Sequence, residues 1–153
     1  MTERPAVLIS IESGTADELR HAILSGLYSY NDRFAGPMEN TTLTIGARDA
    51  EKKIIGGLIA HLQPGWKWMH LDRLWVEESH RRTGIGRLLV GTAEKEGLKR
   101  GCLHVAVDTF EFQARGFYEK QGYRVYAVLE DYPAGHRKFH VEEIFLKIEW
   151  SES

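Results

Sequence analysis

The stretch from Trp66 to Lys99, WKWMHLDRLWVEESHRRTGIGRLLVGTAEKEGLK, limits what this chain can fold into more than any other. Its first part alternates as a strand does, with His70, Asp72, Leu74 and Val76 on one face and Met69, Leu71, Arg73 and Trp75 on the other. Its last part has the period of a helix. Ile85, Leu88, Leu89, Thr92 and Ala93 share one side, Glu94, Lys95, Glu96 and Lys99 the other, and Gly101 closes it. Between them lies a loop with Arg81 and Arg82, then Gly84 and Gly86. A strand that feeds a helix through such a loop belongs to a layered α/β architecture.

The flanking sequence extends that pattern. PAVLISI is a short β-prone run, and a long amphipathic helix follows. Thr15 and Glu18 are spaced as a capping box for that helix, and Leu19, Ala22, Ile23, Leu27 and Tyr30 form its apolar stripe. NDRFAGPMEN interrupts it. TLTIGAR, the turn DAEKK and IIGGLIAHL read as a hairpin. Beyond Gly101, CLHVAVD is a buried-type strand and FQARGFYEKQG a short helix stopped by Gly122; YRVYAVL and FHVEEIFLKIEW are two last strands joined by EDYPAGHRK. The order β-α-β-β-β-α-β-α-β-β predicts one mixed α/β (α+β) sheet of about seven strands covered by helices. At 153 residues, the expected organisation is a single domain spanning residues 1–153.

Bulk properties exclude several classes. A net charge of -2 argues against nucleic-acid binding through an overall positive field. With Cys102 as the lone cysteine, no intramolecular disulfide framework exists. The opening residues lack the basic region and long apolar run of a signal peptide, and no apolar stretch nears the ~20 residues of a membrane span. A cytoplasmic protein without membrane or nucleic-acid partners is expected. His61, His70, His80, His104, His136 and His140 show no metal-ligand spacing, so no metal site is expected.

The glycine loop admits a structural and a functional reading. Glycine at a helix start can serve only to turn the chain. Two phosphate-binding fingerprints fail here: the third glycine of G-x-G-x-x-G falls at Leu89, and no Gly-Lys-Ser/Thr follows. The context favours phosphate nonetheless. The first N–H groups of a helix lack intrahelical partners, the dipole adds partial positive charge, and a missing Cβ at 84 and 86 lets an anion approach. Arg81, Arg82 and Arg87 supply guanidinium groups suited to phosphate oxygens.

Arg81-x-x-Gly84-x-Gly86 resembles the acetyl-CoA signature of the GNAT superfamily of N-acetyltransferases, placed as there between the fourth strand and the next helix. FYEKQGY, residues 117–123, resembles the family's second landmark. The resemblance implies a GNAT fold with helices on both faces of the sheet, which splays open between strands 4 and 5. It implies acetyl-CoA as cosubstrate, with the pantetheine on the backbone of Leu74, Trp75 and Val76. The diphosphate would lie on Arg81, Arg82, Thr83, Gly84, Ile85, Gly86 and Arg87. Where many relatives have a cofactor-contacting asparagine, this chain has Glu111.

The reaction so implied is direct attack of an amine on the thioester. An alkyl ammonium with a pKa of about 10 is protonated at neutral pH, so a proton must be removed before attack. Tyr118 matches the family's acid, although an aromatic at helical spacing also reads as core. His70 and Asp72 lie near the position of the family's glutamate base, and a water relay is the alternative. Glu77 and Glu78, at the strand's end, read as solvent-facing. Tyr28, Tyr30, Asn31 and Phe34 from the first helix, with Glu130, Asp131, Tyr132 and His136 from the last turn, would form an acceptor pocket suited to a cationic amine on a small molecule or peptide. A non-catalytic acyl-CoA sensor is the competing function, and a homodimer the expected assembly.

Overall fold

A computed structural model of the protein describes residues 6–144. The chain divides into two compact units, one up to Gly36 and one from Pro37 onward. In the first, residues 6–13 adopt no regular structure, so the expected strand in PAVLISI is absent among the described residues. A β-prone run without a ladder partner gains no strand hydrogen bonds. Helix α1 spans Asp17–Ala35. Its cap is Ala16 in a left-handed conformation without a side-chain cap bond, so the expected Thr15–Glu18 capping box does not form. The helix runs through the predicted break to Gly36, whose amide donates to the Asp32 carbonyl.

The second unit is a sheet built from β1 (Thr41–Arg48), β2 (Ile54–Gln63), β3 (Trp68–Val76), β4 (His104–Phe110), β5 (Arg124–Leu129) and β6 (Lys138–Ile144). They lie in the order β1-β2-β3-β4-β6-β5, six strands among the described residues against the expected count of about seven. The predicted continuation of the last strand lies outside the described residues. The β3–β4 pair is parallel and the others antiparallel, as a helical crossover between β3 and β4 requires.

That crossover is α2 (Ile85–Lys99); the shorter α3 (Arg115–Glu119) links β4 to β5. Both bury their apolar sides on the same face of the sheet. Leu89, Val90 and Ala93 of α2 and Tyr118 of α3 join Leu58, Ala60, Leu62, Met69, Leu71, Val105, Val107, Phe139 and Val141 in one core. The buried stripe of α2 differs from the predicted one. Leu88 is exposed and lines a groove with Ile45, Ile55 and Ile85, while Val90 and Gly97 are inside. At Gly97 a Cβ would lie 2.8 Å from the Met69 sulfur, so helix and strand approach closely because that residue is glycine.

A β-bulge redirects β3. Ile59 pairs with Arg73 but Ala60 pairs with Leu71, leaving Asp72 as the extra residue. The sequence expectation of unbroken alternation fails at this point. Met69 and Leu71 before the bulge and Leu74 and Val76 after it all contact the core, whereas His70, Asp72, Arg73 and Trp75 belong to the opposite, open face.

Candidate active site

The bulge coincides with a parting of strands. β3 and β4 pair only from Trp68↔His104 to Leu71↔Val107. Beyond that apex Asp72–Val76 and Asp108–Phe110 diverge, and the β4-facing edge of β3 is left without a ladder partner. Leu74, Trp75 and Val76, the residues expected to meet pantetheine, form this free edge. An unpaired strand edge offers alternating N–H and C=O groups to an extended ligand.

The arginine loop lies where that edge ends. Glu77 N–H donates to the Ile55 carbonyl and fixes the strand's exit. A short 3-10 turn, Glu78–His80, follows, and the Thr83 hydroxyl donates to the His80 carbonyl. Arg82 has a φ of 62° and Gly84 one of 88°, two left-handed residues that bend the backbone around. Gly84 caps α2 without any side-chain cap bond. Among the described residues, the amides from Arg82 to Arg87 find no acceptor in the chain. They form a set of donors at the positive end of a helix dipole, the arrangement that binds phosphate.

The two glycines do different things. At Gly84 a Cβ would meet no atom within 4 Å, so the space in front of the amides is open. At Gly86 a Cβ would lie 3.2 Å from Cζ of Phe117, so that glycine admits the aromatic ring of α3. Arg81, itself exposed, donates from Nε to the Val76 carbonyl at 3.0 Å and so ties the loop to the strand end. Arg82 and Arg87 are exposed.

Tyr118 stands on the helix side of the sheet. It is 4% exposed, edge-on to Phe117 and Tyr123, and burial pushes its phenol up to about 12. No buried side-chain oxygen or nitrogen among the described residues lacks a partner, and the Tyr118 hydroxyl makes no hydrogen bond within the chain, so it reaches an accessible surface. A phenol of this kind stays protonated at neutral pH and serves as a hydrogen-bond donor. Tyr123 donates to Glu94 at 3.0 Å, which places Glu94 partly inside rather than on the solvent side. Burial raises the Glu94 carboxyl and, with Glu94 and Glu143 nearby, raises Tyr123 as well.

The open face carries the candidate bases. His61 Nδ1 is 3.6 Å from Asp72, which Arg73 also approaches at 3.4 Å. His70 faces a different acid, Asp108, at 4.0 Å. The same carboxylate takes His140 Nδ1 at 2.7 Å and Lys138 Nζ at 3.3 Å. Sequence reasoning singled out neither Asp108 nor His140. The signal was there, since Asp108 keeps the parity of His104 and Ala106 at the end of an alternating strand.

The acceptor residues fall in both units. Tyr28, Tyr30, Asn31 and Phe34 lie on α1, where Tyr30 contacts Phe34 and Arg33 sits over the Tyr30 ring. Glu130, Asp131, Tyr132 and His136 lie in the loop between β5 and β6. Asp131 accepts the Gly135 amide at 2.7 Å, and the Tyr132 N–H donates to the His136 carbonyl, so the loop is closed on itself. His136 Nδ1 and Arg137 Nε both contact Glu111, at 2.9 and 3.1 Å. Arg137 and His136 together hold that carboxyl below the usual range. Glu111 is thus a clasp for this loop. Phe110 stacks on Phe112 and Tyr132, and Lys138 lies over Tyr132. No cluster of His, Cys, Asp and Glu among the described residues is arranged for a metal, and no helix there is long and apolar enough to cross a membrane.

A split parallel pair with a donor-rich helix start at its mouth is the layout of an acyltransferase of the GNAT type, and comparison with known proteins agrees. The family model described as "Acetyltransferase (GNAT) family" matches residues 15–123. An acetyltransferase of Agrobacterium fabrum (strain C58 / ATCC 33970) is 36% identical over 72% of this chain and 80% of its own. A blasticidin-S acetyltransferase of Streptomyces morookaense is 43% identical over 54% of this chain and 60% of its own length. A solved acetyltransferase structure from Bacillus cereus ATCC 14579 is 33% identical, covers 89% of this chain and 97% of its own, and superposes with a TM-score of 0.79. The chain belongs to the GNAT acetyltransferase family.

Proposed function

We propose that the protein transfers the acetyl group of acetyl-CoA to a primary amine of a small molecule or peptide by direct attack. The observation that carries this reading is the run of free amides from Arg82 to Arg87, open in front of Gly84 and continuous with the free edge of β3. The amides and the α2 dipole would hold the diphosphate, with Arg82 and Arg87 adding charge. The backbone of Leu74, Trp75 and Val76 would pair with the pantetheine and lead the thioester toward the apex at Leu71 and Val107. The residues present fit the group, because the cradle is built from main chain and a side chain at 84 would occupy it.

Tyr118, on the helix side of the sheet, is the acid in this reading. With its pKa near 12 it acts on the departing sulfur as a hydrogen-bond donor, since full transfer to a thiolate of pKa about 8.5 is uphill. On the opposite face of the sheet, where an ammonium would lose its proton, His70 stands 4.0 Å from Asp108, while Asp72 is engaged by His61 of β2. The blasticidin-S acetyltransferase relative supports a small-molecule acceptor. Cys102, buried and with its thiol raised by burial, takes no part.

The test is CoA release, read with a thiol reagent, over a panel of amines: blasticidin S, an aminoglycoside, spermine and a lysine-bearing peptide. Release with at least one of them is expected. Tight acetyl-CoA binding without release for any amine, and no effect of Tyr118→Phe, would instead make the domain a sensor.

A further inference from the structure

We propose that His140, held by Asp108, is the proton acceptor for the incoming amine, and that Asp108 is the residue positioning it. The inference rests on the reading that the acetyl group enters between β3 and β4.

Position is the first argument. Leu71↔Val107 is the last pair joining β3 and β4, so Asp108 is the first β4 residue past the apex of the gap. On its other side it pairs with His140 of β6. Both side chains lie on the open face, across the sheet from Tyr118. His140 therefore stands one strand beyond the gap on the face opposite Tyr118, with Asp108 between it and the gap.

Geometry is the second. Asp108 Oδ1 receives His140 Nδ1 at 2.7 Å, while His70 Nε2 stands 4.0 Å from the same oxygen, beyond a direct hydrogen bond. A carboxylate on Nδ1 fixes the proton there, leaves Nε2 as the acceptor and stabilises the imidazolium that forms. Lys138 occupies the other oxygen, Oδ2, at 3.3 Å and keeps the carboxylate oriented. The remaining groups facing the pair are His70 on β3, Tyr126 on β5, whose ring centroid is 5.9 Å from that of His140, and Glu142 one strand position away. Arg124 binds Glu142 at 2.7 Å, so that carboxylate is engaged elsewhere. His140 is 21% exposed in its side chain, sheltered yet reachable.

The step balances as follows. R–NH3+ gives one proton to His140 Nε2. The freed amine attacks the thioester carbon, a C–N bond forms and the C–S bond breaks. The nitrogen's surplus proton goes to the sulfur, which Tyr118 stabilises, giving the amide and CoA thiol; His140 returns its proton to water.

His140→Gln and Asp108→Asn are compared with wild type, using whichever panel amine releases CoA fastest. Both are expected to lower kcat about 100-fold, the scale of lost general-base catalysis, with the KM for acetyl-CoA unchanged within twofold. In Asp108→Asn the loss should fall on kcat and leave the KM for acetyl-CoA alone; a structural pair alone would disturb both. Ring-nitrogen NMR of the wild-type protein should find neutral His140 protonated on Nδ1, a readout independent of how the variants fold. Unchanged kcat in His140→Gln, collapse only in His70→Gln, or an Nε2–H tautomer would overturn the proposal. If acetyl-CoA binds and no amine releases CoA, the transfer reading itself fails and this proposal falls with it.

Discussion

The ring of Phe117 rests on Gly86 so closely that a β-carbon there would lie 3.2 Å from Cζ. The arginine–glycine loop and the Phe-Tyr landmark, remote in sequence, are therefore one packed unit: the helix that presents the amides is braced by the helix that carries Tyr118. Gly86→Ala should force the ring aside and cost about 1–2 kcal/mol in stability, as overpacking does. It should also raise the KM for acetyl-CoA several-fold, because α2 and α3 shift together. Thermal unfolding and steady-state kinetics on one preparation check both. A stable variant with unaltered KM would show that the contact is incidental.

Tyr118 is expected to matter for turnover and not for cosubstrate binding. Tyr118→Phe should reduce kcat 10- to 100-fold while leaving acetyl-CoA affinity within twofold, since only the hydrogen bond to the departing sulfur is lost. The same hydroxyl predicts an alkaline effect on stability. Its folded pKa lies near 12, above the ordinary value of 10.0, so the folded state favours the neutral phenol. That contribution is fully present below pH 10 and fades as pH rises from 10 to 12, by roughly 2–3 kcal/mol at most. Tyr123, raised in the same direction, adds to the slope. Melting temperature against pH between 8 and 11 should fall less steeply in Tyr118→Phe than in wild type.

Glu111 fastens the β5–β6 loop through His136 and Arg137. Glu111→Ala should accelerate amide exchange at Gly135 and His136 and raise the KM of the acceptor amine more than that of acetyl-CoA. The wild-type clasp should loosen only in acid: the carboxyl's folded pKa is depressed, so the pairing holds above its ordinary range and is lost as pH falls through the lowered value. Exchange measured by mass spectrometry from neutral pH down to about pH 2.5 follows this directly. An acceptor KM that stays constant would separate the loop from the acceptor site.

What could be read from the sequence followed from local chemistry. The strand–loop–helix unit around Val76 and Gly84 is written in alternation, glycine and helical period, and the mixed sheet follows from it; the roles of the cradle and of Tyr118 come from the family resemblance alone. What escaped depends on pairing across the chain. The bulge at Asp72 exists because β2 and β3 differ by one residue between their ladders, so Leu74 and Val76 turn inward against the parity read from β3 alone. Leu88 looked like core and faces a groove; Glu94 looked exposed and meets Tyr123. Asp108 and His140 face each other only because β6 returns between β4 and β5, a register that neither strand declares.

The central claim is that main-chain donors around Gly84 hold the acetyl-CoA diphosphate, and calorimetric titration of acetyl-CoA into Gly84→Ala and Gly84→Glu tests it most directly. Both variants carry the strain of a side chain at φ 88°, about 1–2 kcal/mol, and in each the Cβ meets no protein atom within 4 Å. Gly84→Glu, which sets a carboxylate into the cradle, is expected to bind acetyl-CoA at least 30-fold more weakly than Gly84→Ala. Equal affinity in the two variants would contradict it.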